Sequence, residues 1–216
     1  MRPEGQARQP SNPGGVPATD DEIREKYLER AIRELNSLTR ELQSCEHCPR
    51  GNLMPVLGSG HPQADIFLIK HSARPAEVEE GVAFYGRTGN ALMKSLKRLS
   101  IDPLAVYGTL CVKCPVLDPV MAEPECVARL AEELAIVSPK IVVVMGREAL
   151  VVVNELNVPL RRELAEQPGT LQQFTPSIEA LYVPNIDDAL DEDTAKREFW
   201  AAFRVLGQWW ADLPPY

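Results

Sequence analysis

The stretch KIVVVMGREALVVVNEL (140–156) decides the fold class of this 216-residue chain. Its first half is a short run of β-branched residues that ends at Gly146, which is the pattern of a strand buried on both faces. Its second half, 147–156, follows that strand directly and is predicted to be a helix despite its valines. A buried strand followed at once by a helix is typical of a parallel sheet covered by helices.

Further strands and helices alternate on both sides of this unit. Other apolar runs predict strands at 64–69, 105–111 and 179–183, which together with 140–145 give a central parallel sheet of about four strands. The expected fold is therefore α/β, a three-layer α/β/α arrangement with helices on both faces of the sheet. The predicted helices span 21–44, 89–101, 124–138, 147–156 and 195–213. In such a sheet a ligand binds beyond the carboxyl ends of the strands.

The composition is that of a globular protein. Hydrophobic residues make up 44% and charged residues 25%, which excludes a wholly disordered chain or a coiled coil. Residues 1–19 are rich in Pro, Gly and polar residues, so we predict a disordered tail before a single domain at 20–216. No apolar run approaches the roughly 18 residues of a membrane span, and the N-terminus lacks the apolar stretch of a secretory signal. A cytoplasmic monomer without membrane contact is expected.

Five cysteines carry the most specific chemistry in the chain. Cys45 and Cys48 form a C-x-x-C pair, whereas Cys114 and Cys126 follow far downstream. Four thiolates hold zinc or a [4Fe–4S] cluster. Zinc sites usually show two close pairs, so the wide separation of the last two cysteines favours a cluster, and four unrelated cysteines are the remaining alternative. We interpret Cys111 as a small core residue.

The chain around these cysteines resembles the iron–sulfur, or family 4, uracil-DNA glycosylases over roughly residues 40–210. Sequence landmarks follow one another as in that family: the C-x-x-C pair, a V-x-G-x-G turn, the strand ADIFLI, a loop ending in G-x-x-F-x-G-R-x-G, then TLCVKC, PECVARL and PKIVVVMGREAL. The resemblance implies a [4Fe–4S] cluster, with zinc as the alternative. It also implies the four ligands Cys45, Cys48, Cys114 and Cys126.

Several residues that this family uses for chemistry are replaced. The loop after the first strand keeps the family's length, but the acid in its G-E-A-P-G motif is His71 here. Leu110 stands where the family has an Asn that reads the edge of uracil, and Val183 stands where it has a His. Phe84 is retained and offers a surface on which a base could stack, or else it is a core phenylalanine. These replacements imply a protein impaired in releasing uracil.

His71 leaves a second interpretation open. A neutral imidazole can act as a general base near pH 7, and a histidine can also attack a sugar carbon. The neighbouring Lys70 is expected to lower the pKa of His71, because a like charge disfavours the imidazolium. The alternative is a polar loop residue without a catalytic role.

The partner that the resemblance implies is DNA or a nucleobase. The family inserts a loop after its last strand into DNA, but the corresponding segment here carries five acids within 187–193 and no basic residue. Such a run repels phosphate, or it is simply a solvated helix N-terminus. A basic patch, or a solvated helix face, is predicted near the pocket loops from Arg87, Lys94, Lys97, Arg98 and Lys113.

The sequence therefore leaves three functions open. The first is an iron–sulfur protein of this superfamily that is impaired toward uracil and binds DNA or a nucleobase in DNA repair. The second is an active DNA glycosylase of altered specificity that uses His71. The third is a metal-stapled structural or protein-interaction domain.

Overall fold

The computed structural model describes residues 19–116 and 123–214. Of the predicted N-terminal tail, only Thr19 lies within these residues. The Thr19 hydroxyl accepts a hydrogen bond from the Glu22 backbone N–H at 3.3 Å, and the Glu22 carboxylate accepts one from the Thr19 N–H at 2.9 Å. This reciprocal capping box satisfies two backbone donors and fixes the start of the first helix.

A six-stranded sheet forms the centre of the described part of the chain. Its strands are β1 (Ser59–Gly60), β2 (Ile66–Lys70), β3 (Val106–Leu110), β4 (Ile141–Met145), β5 (Leu171–Thr175) and β6 (Ile178–Val183). They lie side by side in the order β1-β3-β2-β4-β6-β5. The inner strands β3, β2, β4 and β6 are parallel, whereas β1 and β5 pair antiparallel at the two edges. The four parallel strands are those expected from the apolar runs.

Six α-helices accompany this sheet within the described ranges. They are α1 (Asp20–Ser44), α2 (Pro75–Glu80), α3 (Gly86–Arg98), α4 (Pro124–Val137), α5 (Arg147–Glu155) and α6 (Asp193–Ala211). Among them, none is both long and apolar enough to cross a lipid bilayer.

Two hydrophobic cores lie on opposite faces of the sheet. On one face, Phe67 packs in a cluster with Leu130 of α4 and Val153 of α5. On the other face, Leu68 packs in a cluster with residues of α3 and with Phe203 of α6. Neighbouring residues of one strand thus enter different cores, as the alternation of side chains along a strand requires. The predicted three-layer α/β/α fold is confirmed.

The edge strands and α2 did not follow from the sequence pattern. β1 has only two residues, and β5, with the sequence LQQFT, lacks the apolar run of a buried strand. α2 has six residues and is followed by the capping residue Gly81. The Gly81 φ of 76° lies in the left-handed region that favours glycine. Elements this short contain too few residues to show a hydrophobic period.

The segment that follows α2 is fastened to the chain ahead of β1. The Leu57 N–H donates to the Gly81 carbonyl, and the Leu57 carbonyl accepts from the Ala83 N–H, both at 2.9 Å. This pairing holds the loop between β2 and α3 at the carboxyl edge of the parallel strands, where a ligand site is expected.

Gly60 allows β1 to pack closely against β3, because it has no side chain. Its φ is 132°, and a Cβ there would lie 2.6 Å from the Tyr107 Cα and still closer to the Val106 carbonyl oxygen. We expect Gly60→Ala to lower the free energy of unfolding by about 3 kcal/mol, because strain and a backbone clash combine. Urea denaturation measures this value.

Gly51→Ala is the matched control for Gly60→Ala. Gly51 also has a positive φ, 58°, but no heavy atom within 4 Å of an added Cβ. Gly51→Ala should lower the free energy of unfolding by about 1 kcal/mol, because only the left-handed backbone conformation is strained. Equal losses in the two variants would contradict the close contact between β1 and β3.

Candidate functional site

One row of side chains crosses the carboxyl edge of the sheet. The register of the parallel strands aligns Leu110 of β3 with Lys70 of β2, Lys70 with Met145 of β4, and Met145 with Val183 of β6. Directly paired residues of neighbouring strands lie on the same face, so these four side chains form a continuous row. All four are at most 1% exposed. The structure thus brings Leu110 and Val183, two predicted pocket residues, into one row with a lysine between them.

The Lys70 ammonium is bound by two buried carboxylates. Its Nζ lies 2.6 Å from the Glu77 Oε2 and 2.9 Å from the Asp187 Oδ2. The Thr88 hydroxyl donates to the second Asp187 oxygen at 2.6 Å. We call Lys70, Glu77, Thr88 and Asp187 the Lys70 network. Burial of three charged groups is tolerated here because each charge has an opposite charge within hydrogen-bonding distance.

The Lys70 network also holds the loop that carries Phe84. Besides Lys70, the Glu77 carboxylate accepts backbone N–H bonds from Arg74 and from Phe84, each at 2.6 Å. The Phe84 φ of 56° is unusual for a residue with a side chain, and these bonds hold it there. The Phe84 ring lies against Gly108, where an added Cβ would be 2.6 Å from the ring, and its centroid is 5.7 Å from the Lys70 Nζ.

His71, the predicted catalytic residue, lies next to this row but has different electrostatic neighbours. Its side chain is half-buried, and burial lowers its pKa, whereas the nearby Glu148 of α5 acts in the opposite direction. The pKa is thus lowered as expected, but the cause is desolvation and not the charge of Lys70. Two carboxylates already balance that charge. The imidazole is accordingly neutral at pH 7.

The acidic segment 187–193 is partly turned inward. Asp187 is buried in the Lys70 network, and the Arg74 guanidinium lies 3.6 Å from its carboxylate. Asp191 pairs with Arg87 at 2.8 Å and with Arg74 at 3.5 Å. Two of the five predicted acids are thus neutralised by the protein itself, which leaves less negative charge on this edge than the sequence indicates.

Three of the four predicted metal ligands come together. The Sγ atoms of Cys48, Cys114 and Cys126 all lie within 4.8 Å of one another, and the three side chains are buried. Cys45 follows the last residue of α1 directly and is half-buried. It is outside this group of three, although it affects the Cys48 pKa electrostatically. Thiolate-only donors are what zinc and iron–sulfur clusters prefer, so the residues present fit either group.

The pKa values of the three thiols are shifted in opposite directions. The pKa of Cys126 is lowered to about 6, first because the Cys114 thiol hydrogen-bonds to it. Burial raises the pKa of Cys48 to about 11, and the pKa of Cys114 is also raised, chiefly by its hydrogen bond with Cys126. These opposite shifts arise because the three buried sulfurs lie close enough to hydrogen-bond to one another.

A second buried ion pair positions two of these cysteines. The Lys113 Nζ lies 2.6 Å from the Glu133 Oε2 and 2.7 Å from the Thr109 Oγ1. Lys113 directly precedes Cys114, and Glu133 lies two helical turns after Cys126 on α4. The pair therefore fastens the segment after β3 to the ligand-bearing helix. The predicted surface patch was wrong for Lys113, because its side chain is fully buried.

Cys111 lies in the core on the α4 and α5 side of the sheet. Complete burial raises its pKa to about 12, so it remains a neutral thiol. The group of three sulfurs in the described residues does not include it.

The sequence did not reveal that Lys70, Glu77 and Asp187 act together. Asp187 is 117 residues from Lys70, and Glu77 lies on a helix too short to be predicted. The one available signal was Lys70 itself, a lysine at the end of an otherwise apolar buried strand. Such a lysine requires an acidic partner in the interior.

Comparison with known proteins agrees with this arrangement. A family model described as the uracil DNA glycosylase superfamily matches residues 57–204, which is more than half of the chain. A type-4 uracil-DNA glycosylase of Sulfurisphaera tokodaii is 31% identical over 126 residues. That match covers 53% of this chain and only 56% of the relative's own length. With its α/β/α fold, its row of residues at the carboxyl edge and its gathered cysteines, the chain belongs to the uracil DNA glycosylase superfamily.

Proposed function

We propose that this chain is an iron–sulfur member of the superfamily that binds DNA in DNA repair without admitting or releasing uracil. The observation that carries the proposal is the complete burial of the row at the carboxyl edge. Leu110 and Val183 have no exposed surface, and the Lys70 ammonium between them is bound by Glu77 and Asp187. The positions that the resemblance assigns to base recognition therefore offer no accessible surface to a base.

The chemistry of the row supports the same conclusion. Cleavage of an N-glycosidic bond needs donors that stabilise the departing base anion. The side chains of Leu110 and Val183 have no polar atom, and the loss of one such donor costs about 10²–10³ in rate. The Lys70 ammonium is a donor, but two carboxylates already occupy it. Withdrawing Lys70 from these carboxylates would leave their buried charges uncompensated, which costs about 3–5 kcal/mol.

The cysteine group would hold the cluster at a junction of three elements. Cys45 and Cys48 follow α1, Cys114 follows β3, and Cys126 lies in the first turn of α4. When bound, a [4Fe–4S] cluster would supply a cross-link between these distant parts of the chain, with zinc as the alternative occupant. The Lys113–Glu133 pair supports the assignment, because it brings Cys114 and Cys126 together without any metal.

A DNA glycosylase of altered specificity is the second candidate, and His71 supports it. A half-buried neutral imidazole at the carboxyl edge is a suitable general base at pH 7. Its electrostatic neighbour is Glu148 rather than the Lys70 network. A substrate using His71 would therefore approach beside the filled row and not through it.

Metal content tests the cluster assignment. We expect the purified protein to be brown and to contain about four iron atoms per chain. Cys114→Ser should lose the iron and lower the free energy of unfolding. The matched control is Cys111→Ser, which alters a buried thiol three residues away and should keep the iron. Elemental analysis distinguishes the outcomes, and a colourless protein with one zinc would contradict the cluster.

The Lys70 network is tested by removal of one carboxylate. Asp187→Ala leaves Lys70 with Glu77 alone and deprives Thr88 of its acceptor, so we expect a loss of about 3–5 kcal/mol in the free energy of unfolding. Asp188→Ala changes the adjacent, exposed acid and should cost less than about 0.5 kcal/mol. Urea denaturation of both variants gives the comparison. Similar values would mean that the buried carboxylate does not support Lys70.

Uracil release is tested on single-stranded and double-stranded oligonucleotides that carry one uracil. We expect no strand cleavage after alkali treatment, whereas an active uracil-DNA glycosylase in a parallel reaction cleaves the same DNA. Robust excision would overturn the proposed function. If that activity also disappeared in His71→Ala, the second candidate would replace the first.

A further inference from the structure

A groove lies between α3 and α6, apart from both the row and the cysteine group. Its volume is 680 Å³, and five basic side chains line it: Arg87, Lys94, Arg98, Lys196 and Arg197. The half-buried Trp200 adds an aromatic surface, and the Arg98 guanidinium lies 5.7 Å from its ring centroid. At one end the groove includes Ile186, which directly precedes Asp187 of the Lys70 network.

The charge of this groove contrasts with the charge of the chain. The protein has a net charge of −8, yet among the described residues no acidic side chain lines the groove. Lys94, Arg98 and Lys196 form no ion pair with any described residue. Only Arg87, through Asp191, is neutralised. A concave surface with several uncompensated cations concentrates positive potential and attracts an anionic ligand.

The cations are arranged along a line. Arg87, Lys94 and Arg98 occupy one face of α3 at spacings of seven and four residues, which extends over about 16 Å along the helix axis. Lys196 and Arg197 face them from the first turns of α6. Cations that line both sides of an elongated groove suit an extended chain of phosphates better than a single phosphate group.

We infer that this groove binds the phosphate backbone of single-stranded DNA, with Trp200 as a surface on which a base stacks. The inference rests on the proposed function, since it names the surface through which that DNA is held. A positively charged groove with an aromatic side chain is the usual means of holding a single strand without sequence preference. The two helices enclose a volume of 680 Å³, which accommodates part of one strand but not the body of a duplex. Because the groove ends beside Asp187, the strand would pass the carboxyl edge of the sheet.

The test uses the full, metal-loaded chain and a fluorescein-labelled 20-nucleotide oligo-dT, with binding followed by fluorescence anisotropy at several salt concentrations. The groove variant is Lys94→Glu with Lys196→Glu, two exposed residues without described ion pairs. The matched control is Lys26→Glu with Arg33→Glu, two exposed residues on α1. Both double variants change the net charge by the same amount, so general repulsion of DNA is equal in the two.

We expect the groove variant to bind at least tenfold more weakly near 0.1 M salt. The slope of log K against log salt should fall by about 1.4, which corresponds to two lost phosphate contacts on a single strand. The control variant should bind within about twofold of the unmodified protein, because its substituted residues lie outside the groove.

Other outcomes separate the groove from the proposed function. If the unmodified chain binds oligo-dT but both double variants bind equally, the groove assignment fails and the proposed function stands. If the unmodified chain does not bind oligo-dT, DNA binding itself fails. Equal or tighter binding of the duplex would overturn the assignment to a single strand. Displacement of oligo-dT by poly-glutamate at equal charge would assign the groove to an acidic protein instead.

Discussion

The bond between the Lys70 ammonium and the carboxylates of Glu77 and Asp187 is the interaction on which the site depends. A lysine at the end of a central, fully buried strand cannot stay charged without partners. Glu77 reaches it from α2, and Asp187 reaches it from the segment between β6 and α6. One ammonium therefore joins three parts of the chain and requires each of them to close over the carboxyl edge of the sheet.

This closure explains several features that otherwise look unrelated. The six-residue α2 places Glu77 where its carboxylate accepts bonds from Lys70, Arg74 and Phe84 together. Phe84 keeps a left-handed backbone because its N–H is held by the same carboxylate. The acidic segment after β6 turns Asp187 inward, although its sequence resembles a solvated run. The superfamily's fold is thus retained with buried side chains along the carboxyl edge of the sheet, and fold alone does not determine activity.

Much of the architecture followed from the sequence, and the reasons are physical. The run 140–145 is too apolar and too β-branched to be anything but a buried strand, and the helix after it required a parallel sheet. The resemblance assigns Leu110 and Val183 to one pocket, and the strand register places both residues in the row at the carboxyl edge. The C-x-x-C spacing and the distant Cys114 and Cys126 predict a shared metal site, and three of these four sulfurs lie together in the structure.

The remaining features depend on contacts between residues far apart in the chain. From the sequence, Lys70 is expected to lower the pKa of His71, and Lys113 is expected to contribute to a basic surface patch. Each instead forms buried ion pairs: Lys70 with Glu77 and Asp187, and Lys113 with Glu133. A charged residue in a sequence is read as exposed unless its partner is known, and partners 20 or 117 residues away are not visible in a local pattern.

Whether the row at the carboxyl edge is closed is tested by the binding of free uracil, which separates entry of the base from the chemistry of its release. Saturation-transfer difference NMR reports whether uracil contacts the protein, even weakly. With the row closed by the Lys70 network, we expect no saturation transfer to the two ring protons of uracil at millimolar concentration. Saturable transfer, reduced when DNA containing uracil competes, would contradict the account, because it would mean that the row opens to admit the base.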